Sequence, residues 1–308
     1  MQGQHRDISV ATGRGATVAV RDYAGESAPV VLLHGAGLNL ASWNSTVELL
    51  SPDHRVVLID CLGHGASTLP GTYSLHADVA AVEAVVETLG LDRPGVIGHS
   101  YGGILAVEYA ATHPECPVVM NLDGLGGQGR PDHYSNIPAA EVRSYWAGRM
   151  TYVDDVVPVD DCGDEQWRDR KVSELLATAD ALDEGLATAM VARAFQPGVT
   201  SSWDHRPPRQ FLLDLLHTIF ELDLFAAYHR AVCPVVMVAA TARAGEAEFA
   251  RFLDAYHEGL QMALASNPLA RLTTVDSGHN IPIEKPAWLA GLIRESLASP
   301  SEASLARP

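Results

Sequence analysis

Cysteine is scarce in this 308-residue chain. The four present, Cys61, Cys116, Cys162 and Cys233, are scattered, with neither C-x-x-C spacing nor the density of a disulfide framework. They point to a reduced, cytoplasmic setting. Basic residues are also few: 21 Lys and Arg against 38 Asp and Glu leave a formal net charge of −17. That sign disfavours attraction to nucleic-acid phosphates and to anionic membrane surfaces. Long apolar runs are missing too. Met1–Val20 holds no stretch suited to a signal peptide, and nothing approaches the roughly 20 apolar residues of a membrane-spanning helix. Ligand patterns are equally thin. The 13 histidines form no H-E-x-x-H pair, and the acid-rich Val153–Glu165 does not fit a calcium loop. Gly124–Gly129 lacks the Lys-Ser/Thr of a phosphate loop. Neither a metal nor a cofactor is expected. The expected partner is a small-molecule substrate, and the sequence leaves a homodimer open.

What is present is a 47% hydrophobic chain, enough at this length for one sizeable core or a core with an insertion. Short apolar runs alternate with helical patterns, which predicts a mostly parallel sheet. Asp7–Ala11 and Thr17–Tyr23 read as an opening hairpin. Strands follow at Val30–Leu33, Arg55–Asp60, Gly95–Gly98, Val118–Leu122, Val235–Ala239 and Arg271–Val275. Helices are expected near Ser42–Leu50, at Leu75–Leu89 with its apolar residues three to four apart, at Gly103–Thr112, Glu246–Ala265 and Pro286–Leu297. Between about 126 and 230 the rhythm changes to helical patterns without a convincing strand. The expected organisation is a core of residues 1–125 and 231–298, a helical cap over 126–230 and a disordered tail from 299 to 308.

Chemistry concentrates in three places. Gly98-His99-Ser100-Tyr101-Gly102 contains G-x-S-x-G between an expected strand and an expected helix, the context that gives this motif meaning. A serine on so tight a turn projects as a nucleophile, and a glycine-flanked elbow avoids collision with its neighbours. Upstream, His34-Gly35-Ala36-Gly37 follows a buried strand. The N–H groups of Ala36 and Tyr101 are the expected oxyanion donors, with His34 a structural hydrogen-bonding residue. Downstream, Asp276-Ser277-Gly278-His279-Asn280 follows the last strand and offers His279 as the general base that a serine needs.

With Asp60-x-x-Gly63-x-Gly65-x-Ser67 after the fourth strand, these pieces resemble the α/β-hydrolase superfamily over most of the chain outside the insertion. The resemblance implies a doubly wound, mostly parallel eight-stranded α/β sheet with an inserted helical cap. Family members that open epoxides or displace halide carry aspartate at the elbow, so Ser100 aligns this chain with the ester- and lactone-cleaving side. The usual position of the triad acid, after the seventh strand, holds no aspartate. Two candidates remain: Asp123, after the sixth strand as in certain lactone hydrolases, and Glu246. Trp146, Trp203 and Tyr134 are expected to line an apolar pocket. The insertion carries 17 acidic against 10 basic residues from Gln128 to Arg230, which disfavours polyanionic carriers. The reading is a serine hydrolase cleaving an ester or lactone of a small, largely apolar molecule. Its alternatives are a carbon–carbon bond hydrolase or lyase on the same residues, or a non-catalytic ligand receptor.

Overall fold

In strand β3 (Ser27–Leu33) the side chains of Val31 and Leu33 join one hydrophobic cluster, and those of Val30 and Leu32 join another on the opposite face. Period-two alternation with both faces apolar is what a strand covered by helices on each side requires. The computed structural model describes residues 4–13, 15–156, 162–178, 181–198, 203–242 and 247–298. In chain order, β1 (His5–Ala11) and β2 (Thr17–Tyr23) precede β3, followed by α1 (Asn44–Leu50) and β4 (His54–Ile59). Next come α2 (Leu75–Thr88), β5 (Gly95–His99), α3 (Tyr101–Tyr109) and β6 (Val119–Leu122). Eight strands form the main sheet. With β10 (Val235–Ala240) and β11 (Ala270–Val275), its order is β1-β2-β4-β3-β5-β6-β10-β11. The β1/β2 and β2/β4 pairs are antiparallel, and every other pair is parallel. Helices α2, α3 and α9 (Ala247–Ala265) cover one face, while α1 and α10 (Pro286–Ala298) cover the other. The expected hairpin, strands and core helices all have counterparts here, with shifts of a few residues at their ends. The loops that leave β3, β4, β5, β6 and β11 share the carboxyl edge of the sheet, where ligands of such folds bind.

The segment between β6 and β10 holds α4 (Ala139–Val156), α5 (Glu165–Thr178), α6 (Glu184–Ala194), α7 (Arg209–Glu221) and α8 (Leu224–Arg230). Its described residues add no strand to the main sheet. It does contain a small antiparallel sheet of its own, β7 (Cys162–Gly163), β8 (Phe195–Pro197) and β9 (Trp203–His205) in the order β7-β9-β8. These strands escape a reading of the residues alone because two or three residues are too short to display an alternating pattern. Helix α8 packs on α3 and α9, so it sits with the core layer. The tail from 299, and residues 157–161 of the acid-rich stretch, lie outside the described residues.

The insertion is fastened to the core by buried polar contacts. Asp60, fully buried after β4, accepts hydrogen bonds from Leu40 N (2.9 Å), Ala66 N (2.9 Å) and Arg193 Nε on α6 (2.7 Å). Burial pushes the Asp60 carboxyl up, and the Arg193 charge opposes that. Asn39 Nδ2 donates to Met190 O at 2.9 Å, a second link to α6. Truncating one partner of a buried pair leaves the other charge uncompensated. Asp60→Ala is therefore expected to lower the unfolding free energy by about 3–5 kcal/mol, read by urea denaturation. A loss below about 1 kcal/mol would mean that solvent replaces the carboxylate at little cost.

Candidate active site

Ser100 stands between β5 and α3 with φ 51° and ψ −115°, a left-handed conformation that a residue with a side chain rarely adopts. Surrounding contacts over-determine it. Ser100 N donates to Leu122 O (2.8 Å), and Gly103 N donates to Ser100 O (2.9 Å). The flanking glycines are sterically required: a Cβ on Gly98 would lie 1.9 Å from Gly102 O, and one on Gly102 would lie 2.4 Å from Leu33 O. Gly124 packs as closely, since its Cβ would fall 2.3 Å from Ser100 O.

His279 and Asp123 meet at the same sheet edge. His279 Nδ1 lies 2.8 Å from Asp123 Oδ2. A carboxylate only accepts, so Nδ1 carries a proton, and in the neutral tautomer this contact selects the lone pair is on Nε2. Asp123 is buried and also has positive φ, 53°. Its own N donates to Val238 O (2.8 Å), and its Oδ1 accepts from Ala240 N (3.0 Å), which fixes it to the end of β10. Asn121 closes the turn, taking Gly124 N on Oδ1 (2.8 Å) and donating Nδ2 to Gly124 O (2.9 Å). The other acid candidate, Glu246, lies outside the described residues.

Two residues to which the sequence reading gave no role hold the histidine loop. Glu284 accepts from Gly278 N (2.6 Å), Ser277 Oγ (3.0 Å) and Asn280 N (3.2 Å). His99 donates Nε2–H to the His279 carbonyl (2.8 Å). Burial, aided by the neighbouring His279 ring, drives His99 down to about 3, so it stays neutral and adds no charge beside His279. His99 was visible as the variable position of the elbow motif, but its partner 180 residues away was not.

The loop after β3 is equally constrained. His34 donates Nδ1–H to Gly35 O (2.8 Å) and accepts Cys61 N on Nε2 (3.0 Å). His64 donates to Leu62 O (3.0 Å) and accepts Gly37 N (3.1 Å). Burial lowers both imidazoles, to about 4 and about 3, so both act as neutral struts. Leu38 N is taken by Gly35 O (3.1 Å) and Gly102 N by His34 O (3.1 Å). The N–H groups of Ala36 and Tyr101 make no hydrogen bond among the described residues. Gly35 presses on the Ser100 turn: a Cβ there would be 3.2 Å from Ser100 Cβ.

Beneath the elbow, the Tyr101 hydroxyl donates to Asp78 Oδ2 (2.6 Å), while Leu62 N donates to Oδ1 (2.8 Å). Burial raises the Asp78 carboxyl to about 7. The folded chain then holds this proton to about pH 7 and the unfolded chain only to about pH 4, so the contribution of Asp78 to stability fades as pH rises between those values. Asp78→Asn removes that dependence. Relative to wild type, the variant is expected to gain on the order of 2 kcal/mol between about pH 5 and about pH 8. Urea denaturation at both pH values checks this, and an unchanged difference refutes the raised carboxyl.

The aromatic residues expected to line a pocket are packed elsewhere. Trp146 contacts Phe220, Phe249 and Phe252, and Tyr134 packs on Phe252 and Tyr256 with its hydroxyl on Gln128 O (2.9 Å). Trp203 packs against the cluster of Trp167, Val191, Ala194 and Phe195, beneath the Arg168 guanidinium. A cavity of about 250 Å³ opens instead between Gly37–Asn39 and the helices α5 and α6, and none of the three lines it. Among the described residues, Asp132, His133 and Asp223 converge within 4.8 Å. Arg130 bonds both carboxylates, at 2.8 and 3.2 Å, and supplies the positive charge there. Cys61 is buried, and burial pushes its thiol well up, the state of an inert thiol. No helix among the described residues is long and apolar enough to cross a membrane.

Comparison with known proteins places the chain among relatives. It is 32% identical over 120 residues to the 2-hydroxy-6-oxononadienedioate/2-hydroxy-6-oxononatrienedioate hydrolase of Paraburkholderia phymatum, covering 37% of this chain and 41% of that one. The match spans about two fifths of the length of such curated relatives. The crystal structure of E-2-(acetamidomethylene)succinate hydrolase superposes with a TM-score of 0.73 at 18% identity, over 96% of this chain and 100% of the other. The enol-lactonase from Burkholderia xenovorans superposes with a TM-score of 0.60 at 20% identity, over 94% and 100%. Both share the fold. The model of the alpha/beta hydrolase family matches residues 30–292, and the chain belongs to that family.

Proposed function

We propose that this protein is a serine hydrolase that cleaves a carboxylic ester or lactone of a small, largely apolar molecule through an acyl-enzyme. The observation that carries the reading is the 2.8 Å contact from Asp123 to His279 Nδ1, at the sheet edge that holds the Ser100 elbow. Ser100 Oγ attacks the carbonyl carbon as His279 Nε2 takes its proton. Asp123 stays ionised and stabilises the imidazolium. The N–H groups of Ala36 and Tyr101 receive the oxyanion, each contributing about 3–4 kcal/mol to the transition state. The imidazolium then protonates the leaving alcohol. Water deprotonated by His279 attacks the acyl-enzyme and releases the acid.

A second reading, hydrolysis of a carbon–carbon bond, is favoured by the likeness to the 2-hydroxy-6-oxononadienedioate/2-hydroxy-6-oxononatrienedioate hydrolase. Steady-state kinetics separate the two. The expected result is a kcat/KM for a p-nitrophenyl ester or a γ-lactone at least about a hundred times that for a 2-hydroxy-6-oxo-dienoate, a ratio worth about 2.7 kcal/mol of transition-state stabilisation. The reverse order would assign the site to carbon–carbon cleavage.

A further inference from the structure

The cavity between the β3 loop and the insertion is bounded by Leu38, Leu175, Met190, Val191, Ala194 and Phe195. The polar side chains on its wall each have a partner in the protein. Asn39 donates to Met190 O and accepts from Ala41 N (3.1 Å), Lys171 Nζ bonds Glu174 (2.8 Å), and His205 Nδ1 bonds Pro207 O (3.1 Å). Gly37, at its rim, follows the candidate oxyanion donor Ala36 and lies two residues from Gly35, which abuts Ser100. Two residues reach at most about 7 Å. The rim of the cavity thus lies within reach of an alkyl chain attached to a carbonyl at Ser100.

We propose that this cavity binds an unbranched, uncharged alkyl chain of the substrate, of about six to eight carbons. The length follows from the volume, about 250 Å³, with a methylene filling roughly the 30 Å³ of a water molecule. The absence of charge follows from the wall. A carboxylate set among Leu38, Met190, Val191, Ala194 and Phe195 would lose its hydration without gaining a partner there, and the cation on the lining, Lys171, is held by the exposed Glu174. A chain of this kind differs from the dioate in the name of the Paraburkholderia relative. The proposal rests on Ser100 as nucleophile only for the direction in which the chain enters.

Calorimetric binding to the Ser100→Ala protein tests the cavity without turnover. Each buried methylene adds about fourfold in affinity. Methyl octanoate is expected to bind at least about tenfold more tightly than methyl butanoate, and at least about tenfold more tightly than monomethyl suberate, its carboxylate-ended counterpart. Adding Leu175→Trp, on the partly buried wall, should erase the advantage of octanoate over butanoate. Met190→Ala should instead move the optimum to a longer chain. Equal affinity for octanoate and butanoate, or tighter binding of monomethyl suberate, overturns the proposal. So does a preference untouched by both variants, with folding verified by circular dichroism. With Ser100 restored, p-nitrophenyl esters of varied acyl chain and acetates of varied alcohol show which side of the ester occupies the cavity. Chain-dependent binding without turnover in either series would sink the hydrolase reading and leave the cavity assignment standing.

Discussion

Ser100→Ala is expected to lower turnover of a reactive ester by about 10⁴- to 10⁶-fold, the scale seen when a serine protease loses its nucleophile. The fold should tolerate the change, because the elbow is held by contacts to its backbone. Ser100 N on Leu122 O, Gly103 N on Ser100 O and the glycine packing all survive loss of Oγ. Only the hydroxyl disappears, so a loss of activity cannot be blamed on a displaced oxyanion loop. The residual rate should still exceed the uncatalysed one, since the N–H groups of Ala36 and Tyr101 remain and continue to favour a water-attacked tetrahedral intermediate. Labelling by a fluorophosphonate should vanish in parallel. A Ser100→Ala protein that keeps more than about a tenth of the wild-type kcat would place the nucleophile elsewhere.

The parts of this architecture that could be read from sequence are those whose physical cause is local. The run Val30–Leu33 and the run Val235–Ala240 are apolar on both faces, and that alone marks strands buried beneath two helical layers. The elbow is legible because Gly98 and Gly102 are imposed by contacts within a few residues of Ser100 and with the adjacent strand. Causes that act across the chain left no mark. Nothing near Asp78 announces that its carboxyl meets the Tyr101 hydroxyl, and nothing near Asp60 announces Arg193, 133 residues later. Trp146 and Tyr134 show the same limit. An aromatic side chain in an insertion can line a pocket or fill that insertion's own interior, and only the fold places these two among Phe252 and its neighbours. The cavity took its walls instead from Met190, Val191 and Leu175, residues indistinguishable in sequence from ordinary helix core.

The acid of the site is where the family pattern and this sequence part, and it supports the sharpest remaining test. The strand that usually precedes the acid ends here in Ala239-Ala240-Thr241-Ala242, without a carboxylate. Asp123 instead reaches His279 from the neighbouring strand β6, and the end of β10 meets it through its backbone, Val238 O taking Asp123 N and Ala240 N donating to Asp123 Oδ1. Each carboxylate oxygen thus has one partner, and the two partners fix the plane of the group. In Asp123→Asn one of those positions becomes an NH₂. Ala240 N must keep facing an oxygen, which leaves the amide nitrogen against His279 Nδ1. Two N–H donors cannot face each other, so the imidazole must shift its proton to Nε2 or swing away. Either outcome removes the lone pair proposed to take the Ser100 proton. The expected loss is about 10⁴-fold in kcat, the scale of the same substitution in a serine protease, with the circular dichroism spectrum retained. Glu246→Gln, which leaves the Asp123–His279 contact in place, is expected to cost less than about tenfold. Measuring kcat for both variants on one p-nitrophenyl ester decides between them: a crippled Glu246→Gln enzyme beside a nearly normal Asp123→Asn enzyme would return the acid to the usual strand.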